Sequence, residues 1–327
     1  MQTAGHWIHK AGAAVGLALA VICGDASAQA WPSKPIRIIV PYTPGGYTDY
    51  MARTVGQKLS EALGQPIIYE NRPGANSILG VELVAKAPPD GYTFGIVIGA
   101  HAVNPSLYPK LPYDVFKDFR YVSLLSVAPL IMVMHPSVPA NSLKELIALA
   151  RAKPGQLNFG SSGTGAAAHL TMEMFKSRAG ISMAHIPYKG TAGVLQDTIG
   201  GQINLFFDVV GPLMPHVRAG KLKAIVVTAK ERMVAAPEVP TMAEAGVPDF
   251  VSGTFAGYIA PAGTPKEIVN RVSAEVQKIL RDPAMREKLA QQGYEAVGGT
   301  PEEFEKFMRD EVAKWAKVVR DSGTKIE

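Results

Sequence analysis

The sequence predicts an α/β protein, with helices layered on a largely parallel sheet. Short apolar runs alternate with segments whose apolar residues recur every three to four positions, the pattern of strands and helices taken in turn. No fixed period repeats along the chain, which excludes a solenoid. Of the 327 residues, 47% are hydrophobic, enough for a sizeable buried core.

The first element is IRIIV, from Ile36, a buried strand. After the turn PYTPGG, Met51, Val55, Leu59 and Leu63 recur every four residues and give a helix one apolar face, which Gly64 ends. PIIYEN starts the next strand. The unit recurs through the strands YTFGIVIG and LIMVMH, a helix over 142–152, the strand LNFG, a helix from about Gly165, and the strands MAHIPY, INLFFD and KAIVV. The C-terminal part turns helical. Thr264 and Pro265 are expected as N-cap and first helical residue before Ile268, Val269, Val272 and Val276. Thr300, Pro301 and Glu303 form a capping-box pattern, and Phe304, Phe307, Met308, Val312 and Trp315 then make an apolar stripe that belongs in a core.

Residues 1–28 read as a secretory signal peptide: His6, His9 and Lys10 precede an uncharged run to Cys23, and Ala26, Ser27 and Ala28 form a small-residue cleavage site. That run is shorter than the ~20 residues of a membrane-spanning helix. Cys23 is the single cysteine, so the mature chain is expected to have no disulfide and no thiolate metal site. Lys10 and Asp25 leave together, and the formal net charge stays at +5. Bases are scattered among acids, which argues against a nucleic-acid partner and mildly favours anionic ligands.

Two Gly-rich strand-to-helix turns stand out. In PYTPGGYTDY, Gly45 and Gly46 permit close backbone approach just before a helix whose first amides lack partners, a suitable seat for a carboxylate or phosphate. In LNFGSSGTGAAAHL, Ser161, Ser162, Gly163, Thr164 and Gly165 are placed likewise. This second turn is not a nucleotide P-loop, because Ala166 and Ala167 stand where Lys and Ser or Thr are needed. Nor is it a nucleophile elbow, since neither serine has glycine two residues away on both sides. A serine hydrolase using Ser161 or Ser162 with His169, His185 and Asp208 stays an alternative. The histidines lie on different elements without metal-ligand spacing, so neither metal nor cofactor is expected. Asp49 either complements its helix dipole or contacts ligand.

WPSKPIRIIVPYTPGG, ENRPGANSILG, KAPPDGYTF, FGSSGTGAAAHL, IPYKGTAG and VPTMAEAGVPDF together resemble the periplasmic solute-binding proteins of tripartite tricarboxylate transporters, the Bug family. The resemblance implies a non-enzymatic, monomeric binding protein of type II-like, Venus-flytrap form: two α/β lobes, each with a largely parallel sheet, joined by crossing hinge strands. It places lobe one at 31–127 plus 254–327 and lobe two at 128–253. It implies a small organic carboxylate held by Tyr42, Gly45, Gly46, Tyr47, Thr48 and Asp49 from one turn and by Ser161, Ser162, Gly163, Thr164 and Gly165 from the other, with His101 and Asp208 as further cleft contributors. The implied partner is a membrane permease or a sensor protein. Two positions depart from the family habit: Tyr47 replaces a small residue or proline, and Val209 replaces asparagine. Both make the pocket less polar and favour an aromatic or apolar-bodied acid over citrate.

Overall fold

In the computed structural model, which describes residues 31–188 and 190–324, the IRIIV run forms β1 (Ile36–Val40), with only Arg37 reaching solvent. The expected leader lies outside the described residues. β1 passes through the PYTPGG turn into α1 (Tyr47–Leu63), which buries Met51, Val55 and Leu59 and ends at Gly64 in the left-handed conformation, φ 68°. Then come β2 (Ile67–Asn71), α2 (Ile78–Ala85), β3 (Thr93–Ile98) and α3 (Gly99–Leu107). β1 pairs in parallel with both β2 and β3, as strand–helix–strand connections require.

The LIMVMH run is the second part of a longer, 16-residue strand, β4 (Phe119–Met134). It leads to α4 (Leu143–Ala152), β5 (Asn158–Ser161), α5 (Ala167–Ala179), β6 (Ala184–Pro187), α6 (Thr191–Ile199), β7 (Leu205–Val209), α7 (Val210–Arg218) and β8 (Lys223–Val227). β5 pairs in parallel with β6 and β7, giving a second parallel half. The chain returns along β9 (Gly253–Pro261) to α8 (Lys266–Arg281), α9 (Pro283–Gln291), β10 (Glu295–Ala296) and α10 (Pro301–Ser322).

Strand order is β2-β1-β3-β9-β4-β7-β5-β6, with β8 and β10 also on β4. The sheet is therefore parallel in each half and antiparallel in the middle. β4 pairs with β9 over 119–129, then changes partners to β7 and β8 from Leu130 onward. β4 and β9 are thus the crossing strands, and the fold is the two-halved α/β architecture expected. The largest buried cluster continues through the crossing, from Ile38 and Ile96 by way of Ala128 and Leu130 to Phe207 and Phe159.

Two helix starts test the capping arguments. Thr300 caps α10 with the full reciprocal box, its Oγ1 accepting from the Glu303 N–H and the Glu303 carboxylate accepting from the Thr300 N–H. At α8 the expectation is off by one residue: Pro265 takes the cap position, and the buried Thr264 hydroxyl has no partner.

Candidate functional site

β1 and β3 of one half and β5 and β7 of the other run in opposite senses, their C-terminal ends pointing toward the boundary between the halves, so α1, α3, α5 and α7 begin on its two sides. The first amides of a helix have no intrahelical partner and carry the positive end of its dipole. One of them is already used, because the Gly99 N–H at the start of α3 donates to Thr254 Oγ1 at 3.2 Å.

In the first turn Gly45 and Gly46 are exposed, and Asp49 is buried just behind them. Its carboxylate accepts from the Gly45 N–H, Arg53 Nε and Asn71 Nδ2, each at 3.0 Å. Burial alone would raise the Asp49 carboxyl, but the bonds from Arg53, Asn71 and Gly45 overcome it and hold the group below the usual carboxylate range. Asp49 therefore acts as a brace for its own turn, and the Gly45 amide is occupied by it. Asn71 Nδ2 also donates to the Tyr42 carbonyl, which ties the turn to β2.

Tyr47 does not swing freely. Its hydroxyl lies 2.8 Å from Ser126 Oγ on the crossing strand, and its ring packs 4.8 Å from that of Tyr294, with Thr48 buried beside it. Tyr294 in turn stands close enough to Asp208 for the carboxylate to help raise its phenol, after burial. The two rings pack together, buried, between the start of α1 and Asp208. Asp208 is buried; Thr191 Oγ1 and the Val209 N–H each donate to it at 2.7 Å, and burial nonetheless pushes its carboxyl up.

In the second turn Ser162, Gly163 and Thr164 are partly exposed, whereas Ser161 is fully buried. The Gly165 N–H donates to His169 Nδ1 at 3.1 Å. A Cβ on Gly165 would lie 2.1 Å from Leu107 Cδ1, and one on Gly99 would lie 3.5 Å from Ala167 Cβ, so α3 and α5 meet across the mouth. On the Asp208 side, a Cβ on Gly211 would lie 2.8 Å from Gln292 Oε1. The two halves are closed on each other here.

His101 requires a correction. Its ring is fully buried, stacked 5.8 Å from Tyr113 and edge-on 5.4 Å from Phe119, and neither nitrogen has a partner. The third residue of α3 points into the core, and burial lowers the imidazole to about 3. A third turn, read in the sequence only as part of the ENRPGANSILG resemblance and not as a site, stands nearby: Ala75, Asn76 and Ser77 all have positive φ, 45°, 49° and 74°. Asn76 and Asn104 hold it by reciprocal amide bonds of 2.9 and 3.0 Å. Three consecutive left-handed non-glycine residues store strain, which tends to mark functional loops. The sequence cue was ENRPGANS, whose proline, glycine and asparagines demand an irregular turn.

The family model described as "Tripartite tricarboxylate transporter family receptor" matches residues 51–324. The chain belongs to this family. It is 37% identical to Protein BugT of Bordetella pertussis, over 95% of this chain and 96% of that one. Among solved structures, a protein of R. palustris with adipate superposes with a TM-score of 0.86 at 35% identity, covering 90% of this chain and 98% of its own. MatC from Rhodopseudomonas palustris with bound malate gives 0.81 at 32%, covering 88% and 100%. Tripartite tricarboxylate transporter receptors are solute-binding proteins, so the hydrolase alternative falls. The geometry agrees: Ser161 is buried, and Asp208 serves Thr191 and Val209 rather than a histidine. Among the described residues no helix of this receptor is long and apolar enough to cross a membrane, and no group of three acids, histidines or cysteines is placed to hold a metal.

Proposed function

We propose that this receptor captures a small organic carboxylate between two lobes, 31–127 plus 254–327 and 128–253, and presents it to a tripartite tricarboxylate permease. The observation that carries the reading is the convergence of four helix starts from both halves at one closed mouth, where the positive ends of the helix dipoles favour an anion even with the Gly45, Gly99, Gly165 and Val209 amides already bonded within the protein. Ser162 and Thr164 add hydroxyl donors. Asp208, directly before the start of α7, is an acceptor for a hydroxyl or ammonium group and disfavours a second carboxylate beside it. The Tyr47 and Tyr294 rings supply an apolar wall, so the preferred solute has an apolar body, aliphatic like adipate or aromatic like nicotinate or terephthalate. The receptor acts as a monomer in the periplasm, where residues 1–28 direct it. No cofactor takes part.

The test is a thermal-shift panel of adipate, malate, citrate, nicotinate and terephthalate on the mature chain. A ligand at about 100 times its Kd stabilises the fold by ~2.7 kcal/mol, a shift of several degrees for a chain of this size. We expect adipate or an aromatic acid to exceed citrate. A panel in which no carboxylate shifts the transition overturns the reading. Tyr47→Ala then tests the wall: equal losses for an aromatic and a small aliphatic acid would remove Tyr47 from specificity.

A further inference from the structure

Beneath the Ser161–Gly165 turn lie two imidazoles that solute capture leaves unused. His169 on α5 and His185 on β6 stack with centroids 3.9 Å apart and planes 13° from parallel, and Phe159 continues the stack 4.8 Å from His185. Each ring grips the turn at a different end. The Gly165 N–H donates to His169 Nδ1 at 3.1 Å, and Ser161 Oγ lies 2.7 Å from His185 Nε2.

A backbone donor fixes the tautomer of His169. Ser161 Oγ accepts from the Gly163 N–H at 3.3 Å and lies 3.1 Å from the Gly163 carbonyl and 2.7 Å from His185 Nε2, so it joins that ring to the turn whichever of the two takes its proton. His169 Nδ1 accepts, so its proton is on Nε2, which faces Glu173 Oε1 at 3.7 Å. Protonating His169 would set an Nδ1–H against the Gly165 N–H, two donors face to face. Burial keeps both rings uncharged, and Lys176, itself bonded to Glu173 at 2.7 Å, works in the same direction.

We propose that His169 and His185 are positioning residues that set the shape of the solute-facing turn, acting through Gly165 and Ser161 without touching the solute. This rests on the reading of that turn as a carboxylate seat. The turn needs such a clamp because Gly163 and Gly165 adopt φ of 151° and 79°, conformations that the chain on its own does not select.

The first experiment needs no ligand. Nitrogen-15 NMR of the native receptor should show His169 as the Nε2–H tautomer, and the Gly165 amide should exchange slowly. His169→Ala should speed Gly165 exchange at least about tenfold, and His169→Asn, whose Oδ1 occupies the place of Nδ1, should restore most of the protection. With adipate as probe, or whichever panel acid binds, the Ala variant should lose at least about tenfold in affinity and the Asn variant less than about threefold. An Nδ1–H tautomer at His169, or Gly165 exchange that ignores its replacement, overturns the clamp, and the tautomer decides even where His169→Ala does not fold. Unaltered affinity in a folded His169→Ala overturns it as well. A wild-type receptor that binds no carboxylate, with the tautomer and exchange as expected, sinks the solute reading and leaves the clamp standing.

Discussion

At the scale of single residues, the histidines make stability pH-dependent with a definite sign. Burial lowers His101 and His169 to about 3, and burial with Lys176 lowers His185 to about 4, against about 6.5 in an unfolded chain. Unfolding therefore takes up protons between those values, so stability is full above about pH 6.5 and declines as the pH falls toward 4. Asp49, lowered by its bonds, adds a loss of the same sign at still lower pH. Urea midpoints at pH 7, 6 and 5 should fall in that order, with His169→Asn lessening the slope by about one proton; a flat series would contradict the burial of these rings. Gly165 makes a second residue-scale case. Ala there meets both a left-handed φ of 79° and Leu107 at 2.1 Å, whereas Ala at Gly45 meets a φ of 87° with open space around it. Each substitution should cost about 1 kcal/mol of stability from backbone strain. Only Gly165→Ala should also block closure, with an affinity loss of at least about tenfold, or about 1.4 kcal/mol. Equal affinity losses in the two variants would mean that the contact with Leu107 plays no part in closing.

At the scale of elements, the turn between β2 and α2 is where strain and fold are most at odds. Ala75 is exposed at φ 45°, so glycine relieves more there than it loses in chain entropy, and Ala75→Gly should raise stability by about 0.5–1 kcal/mol in urea unfolding. Asn104→Ala should do the reverse, lowering stability by about 1–3 kcal/mol, because it removes two amide bonds from a buried site. A neutral Asn104→Ala would show that the turn keeps its shape without the amide pair. The sequence made the regular elements legible because apolar periodicity is a local property: β1, α1 and α10 follow from IRIIV, the four-residue spacing and the capping box. α3 and α7 were illegible for the same reason, since Pro105 and Pro215 lie inside them and local propensity argues against a helix that tertiary packing nevertheless holds. The two Gly-rich turns were legible through glycine itself. The inward face of His101 was not, because a short apolar helix such as GAHAVNPSL gives no phase to say which side meets the core. Tyr294 escaped notice too, since its partners Tyr47 and Asp208 lie far off in the chain.

At the scale of the whole molecule, the crossing strands have two faces, and only one of them belongs to the mouth. Side chains alternate along a strand, so Ser126, bonded to Tyr47, and Thr254, bonded to Gly99, point to the mouth, while Val127 and Phe255 point away from it. Val127 and Phe255 line a cavity of about 660 Å³, walled by Phe307, Glu311 and Lys314 of α10 from one half and by residues 229–234 from the other, and reaching Thr254 and Tyr294. If the halves turn as rigid bodies about this shared pair of strands, the part of the cavity between α10 and residues 229–234 shrinks as the mouth opens. Val234 is 75% exposed at its rim, and Val251 is 58% exposed. Val234→Trp puts bulk where the open form needs room and leaves the closed form free, so it should shift the ligand-free population toward closure. Since a solute selects the closed form, its apparent affinity rises as that form becomes more populated. Small-angle scattering of the ligand-free variant should give a smaller radius of gyration than wild type, and adipate, or whichever acid binds, should leave more slowly. A variant with unchanged radius and unchanged off-rate would mean that the halves open along a path that spares the rear cavity, by twist rather than by hinge.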